Sequence, residues 1–319
     1  MTFIGWKRGF GVFSITGEEN LPVLIGLAIG GGLALIVLLV LGFTRLGGAG
    51  RVTSSHLLGQ ALATLAERAG SLTLLWIGIS FAYTAITLFA LLAGRTSTLF
   101  ETAMAAALIF LGHKTMLERP AAAVGLDVPQ TGYWSILLRS LALGIIVLVT
   151  AGLVFVLAAL LVALAGMAGL GGDTPRLVAG IGAGIAAIWL STLFARLAFI
   201  YPSSVLGGRD WFGTALGRAA PVAIGLSASL WLVALASIAI IIPMVILSDT
   251  LVMSIVASLP ATPGDLLDDV GTPLFWLRLV MEELPLNLLL VAYSLASIAC
   301  VSAAYRITVL DPATPDQKG

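Results

Sequence analysis

The chain has 319 residues, 59% of them apolar and 10% charged, and its 16 basic side chains balance 16 acidic ones. A soluble domain carries about 25% charged residues, so this composition, with a mean hydropathy of +1.09, excludes a water-soluble globule. Zero net charge excludes the basic excess of a nucleic-acid binder, and a single cysteine, Cys300, excludes an intramolecular disulfide or a cysteine-held metal cluster.

The chain opens on MTFIGWKRGFGVFSIT. Phe3, Trp6, Phe10 and Phe13 recur every three or four residues with Lys7 and Arg8 off the stripe, which predicts an interfacial helix over 3–15. A helix rises about 1.5 Å per residue, so ~20 apolar residues cross a hydrocarbon core of ~30 Å. The first stretch of that length is 21–43. Its apolar run exceeds the roughly 7–15 residues of a signal-peptide core, and Glu18 and Glu19 stand where a signal carries positive charge, so it reads as a retained span. Further spans follow at 71–93, 140–165, 177–200, 221–247 and 284–305. Between the second and third, the apolar segment 99–111 is short, holds Glu101 and runs into His113 and Lys114. Its length predicts an interfacial or re-entrant helix. Pro243 inside the fifth span should bend that helix. GQALATLAERAG from Gly59 leads into the second span and GTALGRAAPVAIG from Gly213 into the fifth, a faint internal echo. The fold class is therefore all-α: a polytopic membrane helical bundle of six transmembrane helices plus interfacial amphipathic helices, in a single integral-membrane domain over 1–319.

Packing signals lie within the spans. Gly26–Gly30 and Gly180–Gly184 are spaced as G-x-x-x-G, which lets helix backbones approach closely in lipid. Hydroxyls form stripes on the second span (Thr73, Ser80, Tyr83, Thr84, Thr87) and, with Asn287, on the sixth (Ser294, Ser297). Interhelical hydrogen bonds account for them, and a path for a small neutral or weakly polar solute is the alternative. Apart from Arg196, the six cores hold no ionisable side chain of the kind that marks proton or ion pathways. The acidic loop with Asp265, Asp268, Asp269, Glu282 and Glu283 lacks the ligand spacing of a calcium loop. H-E-x-x-H, P-loop and G-x-S-x-G patterns are absent. These readings predict no catalytic residue, no cofactor and no metal site, and a protein that is not an enzyme.

ARLAFIYPSSVLGGRDWFGTALGRAA, from Ala195, places the permanent cation Arg196 late in the fourth span. Basic residues near span ends favour the cytoplasmic side. Six spans put both termini on one side, with ten basic residues against five on the other, so both termini are expected in the cytoplasm. Arg196 then lies about one turn from the cytoplasmic end and can snorkel to the headgroups. A sharper reading joins Arg196, Tyr201, Arg209 and Arg218 as a contact for a lipid headgroup or an acidic partner.

The same stretch, through Arg196, Pro202, Val205, Leu206, Ala215 and Leu216, resembles the six-helix membrane domain of bacterial glycerophosphoryl diester phosphodiesterases and related free-standing inner-membrane proteins. Gly207–Gly208 and Arg218–Ala219 stand where that family often has an acidic residue and a serine. The family's phosphodiester chemistry resides in a separate soluble barrel, for which this chain has no room. The resemblance thus implies a membrane module with an accessory, assembly or lipid-associated role. The partners it implies are membrane lipids and a membrane protein complex, and the expected location is the bacterial inner membrane.

Overall fold

A computed structural model describes residues 21–44, 52–92, 98–117, 133–169, 171–206, 212–257 and 272–310. The predicted interfacial helix at 3–15 and Arg209 lie outside these. The described residues form helices only: α1 (Leu21–Phe43), α2 (Ser54–Glu67), α3 (Ala69–Leu92), α4 (Thr98–Leu117), α5 (Tyr133–Met167), α6 (Thr174–Leu197), α7 (Ile200–Val205), α8 (Phe212–Ala219), α9 (Ala223–Ala257) and α10 (Pro273–Tyr305). A 3-10 turn, Ala220–Val222, joins α8 to α9, and a π turn, Arg306–Leu310, ends α10. Among the described residues, six helical stretches are long and apolar enough to cross a membrane: Leu21–Phe43, Ala69–Ala90, Tyr133–Met167, Thr174–Val205, Phe212–Ser248 and Phe275–Leu310.

Where helices run beyond the predicted spans, capping and pairing explain it. α10 starts eleven residues before the apolar run at 284. Its start is set by Thr272, whose side chain accepts from the Phe275 amide, and by Pro273 in the first turn. Glu282 and Glu283 interrupt the apolar run but not the helix, and Arg278 Nε pairs with Glu282 Oε1 one turn on, at 2.8 Å. The helical backbone of α9 continues through Pro243. The segment at 99–111 is the middle of a twenty-residue helix, α4.

α1 and α6 make the tightest crossing. A Cβ built on Gly26 would lie 3.0 Å from the Gly180 Cα, and one built on Gly180 would lie 3.0 Å from the Gly26 Cα. Gly184 meets α1 four residues further along, at Leu27, Gly30 and Gly31. Both contacts advance in the same chain direction, so α1 and α6 are parallel. Without Cβ atoms the two backbones touch, which lipid tails, as apolar as leucine, cannot drive by hydrophobicity alone.

The remaining directions follow from side-chain contacts. Gly42, at the end of α1, faces Ala228 and Ser54, and the Ser54 hydroxyl donates to the Gly225 carbonyl at 2.9 Å, so α9 begins where α1 finishes. Ser191 of α6 meets Ser227 and Trp231 of α9 at 2.8 and 2.9 Å. At the far end of α9, Ser248 donates to the Met281 carbonyl, and α10 returns. α10 is the centre of the bundle, lined by α2, α3, α4 and α9, with Val291, Leu295, Ile298, Ala299 and Ala304 buried. Cys300 is buried there as a packing residue. α5 lies on the outside of α6 and α4; its one buried residue is Ile136.

Candidate functional site

Charge divides the two ends of the bundle. Of the described basic residues, Arg68, Lys114, Arg139, Arg196, Arg218 and Arg306 lie toward the end where α1 and α6 finish, and Arg176 and Arg278 toward the other. Of the described acidic residues, Glu67 lies beside Arg68 at the first end, and Glu101, Asp173, Glu282 and Glu283 lie toward the second. The first is called the basic end below and the second the acidic end.

At the basic end, arginines serve helix termini. Arg196 is half-buried and donates to the Leu216 carbonyl from Nε at 2.9 Å and from Nη2 at 2.5 Å. Leu216 belongs to the last turn of α8, so the guanidinium ties that end of α8 to α6. Arg306 Nη2 does the same for α4, donating to the Met116 carbonyl at 2.8 Å. Arg139 Nη1 reaches the Ile200 carbonyl at 3.3 Å and also contacts the Ser204 hydroxyl, fastening α5 to α7.

Tyr201 is half-buried and stacks on His113, with ring centroids 6.4 Å apart and planes 22° apart. His113 is 1% exposed, and its Nδ1 lies 2.8 Å from the Ser302 hydroxyl. Arg218 is exposed on α8, opposite the buried face formed by Ala215 and Ala219. Arg196 and Tyr201 thus stand in one layer with Arg139, His113, Ser302 and Arg306, while Arg218 projects from its surface. Sequence reasoning missed those last four. For Arg139, the available signal was a cation abutting the span at 140–165. His113 and Ser302 are brought together across 189 residues, which no local pattern announces.

The hydroxyl stripes are occupied in part, with Thr87 and Ser297 buried and without a partner among the described residues. Ser80 donates to the Trp76 carbonyl, Thr84 to the Ser80 carbonyl and Ser294 to the Leu290 carbonyl, each within its own helix. Asn287 Nδ2 donates to the Thr84 hydroxyl at 3.0 Å, and Trp76 Nε1 to the Leu288 carbonyl at 2.7 Å, joining α3 to α10. Among the described residues no three His, Cys, Asp or Glu side chains are grouped to hold a metal ion. Comparison with family models, curated proteins and solved structures gives no match.

Proposed function

We propose that this multi-pass membrane protein has an accessory, assembly or lipid-associated role in a bacterial inner membrane. Its basic end faces the cytoplasm and its anionic headgroups. The observation that supports this reading is the concentration of six cations at one end, with Arg218 exposed on the amphipathic α8 beside the Arg196–Leu216 latch. Cations at a membrane surface are drawn to anionic lipid by about 1 kcal/mol each. The resemblance of the Arg196–Leu216 segment to free-standing relatives of a phosphodiesterase membrane domain points to the same class of role.

The test is purification from native membranes in mild detergent, followed by mass spectrometry of what stays bound. Anionic lipid retained by the wild type and lost on Arg218→Ala with Arg209→Ala is the expected result. A stoichiometric protein partner would make the role one of assembly. Unchanged lipid content in the double variant, with no partner, removes the proposal. The alternative is solute passage along the hydroxyls of α3 and α10, of which Ser80, Thr84 and Ser294 bond within their helices while Thr87 and Ser297 have no partner among the described residues.

A further inference from the structure

The structure assigns the chain two copies of one three-crossing unit, joined by α5, with the start of α1 and the end of α10 on opposite faces of the membrane. The first support is a constant offset of 154 residues. It relates Gly26 to Gly180 and Leu27 to Ile181. A Cβ on Gly26 would meet the Ile181 amide at 2.9 Å, and one on Gly180 the Leu27 amide at 3.0 Å, so α1 and α6 meet as equivalents. Such reciprocity is the mark of a local two-fold relation. The same offset carries Gly59 to Gly213, buried Ala61 to buried Ala215, and buried Leu72 to buried Leu226, and it carries Ala69, where α3 begins, to Ala223, where α9 begins. Each unit is therefore a glycine-striped span, an amphipathic helix and a returning span: α1, α2, α3 and then α6, α8, α9. α4 and α10 complete the units.

Crossing parity follows from the parallel α1–α6 pair. α1 finishes at the basic end and α6 starts at the acidic end, so between Phe43 and Thr174 the chain crosses an odd number of times. α3 and α5 supply two crossings. α2, at fourteen residues and ~21 Å, is too short for another. α4 is the third: its twenty residues reach ~30 Å. It starts where the Tyr83 hydroxyl donates to the Glu101 carbonyl at 3.3 Å, and it ends beside Ser302 and Arg306 at the basic end. With α4 the described residues cross seven times, one more than the six helices that are long and apolar enough by composition, and with the basic end in the cytoplasm the start of α1 lies outside.

Two exposed residues separate the arrangements. Thr44 follows α1 and Asp173 precedes α6. Single cysteines at Thr44→Cys and Asp173→Cys, in a Cys300→Ser background, are treated with a membrane-impermeant maleimide on intact spheroplasts and again after permeabilisation. Seven crossings require Asp173→Cys to react from outside and Thr44→Cys only after permeabilisation. Reaction of both from the same side would overturn the inference. Gly217→Cys on α8, which should share the side of Thr44→Cys, controls for the basic end.

A second, independent observation concerns Glu283. It is 1% exposed, and among the described residues its Oε2 has no hydrogen-bond partner. The Thr87 hydroxyl, 6% exposed, has none either. Asn287 pairs with Thr84 across antiparallel α3 and α10, so Glu283, one turn before Asn287, is in register with Thr87. Among the described residues, the charged groups that act on it are Glu282 on its own helix and Glu101 from α4. Arg278 is engaged by Glu282. A buried carboxylate is costly unless it is paired with a cation or binds a proton. Hard metal ions need six or more oxygens, which a carboxyl and a hydroxyl do not provide.

We infer that Glu283 is a proton-binding site within the bundle, in the half of α10 toward the acidic end. Dicyclohexylcarbodiimide adds across a protonated carboxyl in an apolar site, the acid proton passing to the carbodiimide nitrogen and the carboxyl oxygen bonding to its central carbon. The wild type in native membranes should be labelled at Glu283, less as pH rises, and Glu283→Gln should lose that label. Glu282→Gln should retain it. Labelling that is unchanged by Glu283→Gln, or absent at every pH, would overturn the inference, and a melting profile of Glu283→Gln distinguishes loss of the site from loss of the fold.

Discussion

α4 and α5 are consecutive helices with opposite surroundings. α5 has 35 residues, nearly all apolar, and one buried position. α4 has twenty residues, carries Glu101, His113 and Lys114, and exposes only Phe100 and Leu111 among its described side chains. The helix that reads most strongly as a membrane span has lipid for its solvent. The one that reads weakly has other helices for its solvent, chiefly α3, α5, α7 and α10. Hydropathy measures the demand made by lipid. A helix enclosed by protein escapes that demand and can place a histidine against a serine.

The comparison can be broken most sharply by leucine truncation. Leu108 in α4 is 3% exposed and Leu148 in α5 is 75% exposed. Leu108→Ala should cost about 2–5 kcal/mol through the cavity it leaves, whereas Leu148→Ala exchanges one lipid contact for another and should stay within about 0.5 kcal/mol. Thermal unfolding in mild detergent reads both, and equal shifts would remove the distinction between the helices. Overpacking gives the next largest effect. A side chain at Gly112 of α4 meets Ile298 at 3.0 Å, while at Gly152 of α5 nothing lies within 4 Å. Gly112→Leu should therefore destabilise by about 1–3 kcal/mol and Gly152→Leu far less.

Polar contacts sharpen the same contrast on a smaller scale. Ser302→Ala removes the partner of buried His113 Nδ1 and should cost about 1 kcal/mol. Thr150→Ala in α5 removes only a bond to the Ile146 carbonyl of its own helix and should be near neutral. Asn287→Ala, at the α3–α10 seam beside α4, should cost about 0.6 kcal/mol, the average for interhelical hydrogen bonds in lipid. A loss several times larger would mean that Asn287 also orders the neighbouring Glu283.

Much of the fold was legible one helix at a time. α1 occupies the predicted 21–43, and the two G-x-x-x-G pairs form the closest helix crossing. These features depend on local composition, which a reading along the chain recovers. The roles of particular polar residues were less legible. Arg196 could be placed near a span end, but its partner is a backbone carbonyl on another helix, at Leu216. Glu283 was read as part of an acidic loop because apolar counting stops at the first carboxylate, whereas the helix had already begun at Pro273.

Composition by itself determined that lipid is the main solvent and that the chain is a bundle of helices, because backbone groups in hydrocarbon must be satisfied within each segment. Only the tertiary structure decided that α1 and α6 run parallel, that α4 is an interior helix, and that Glu283 and His113 are buried. Direction, neighbours and enclosure are properties of pairs of helices distant in sequence, and hydropathy reports each helix alone.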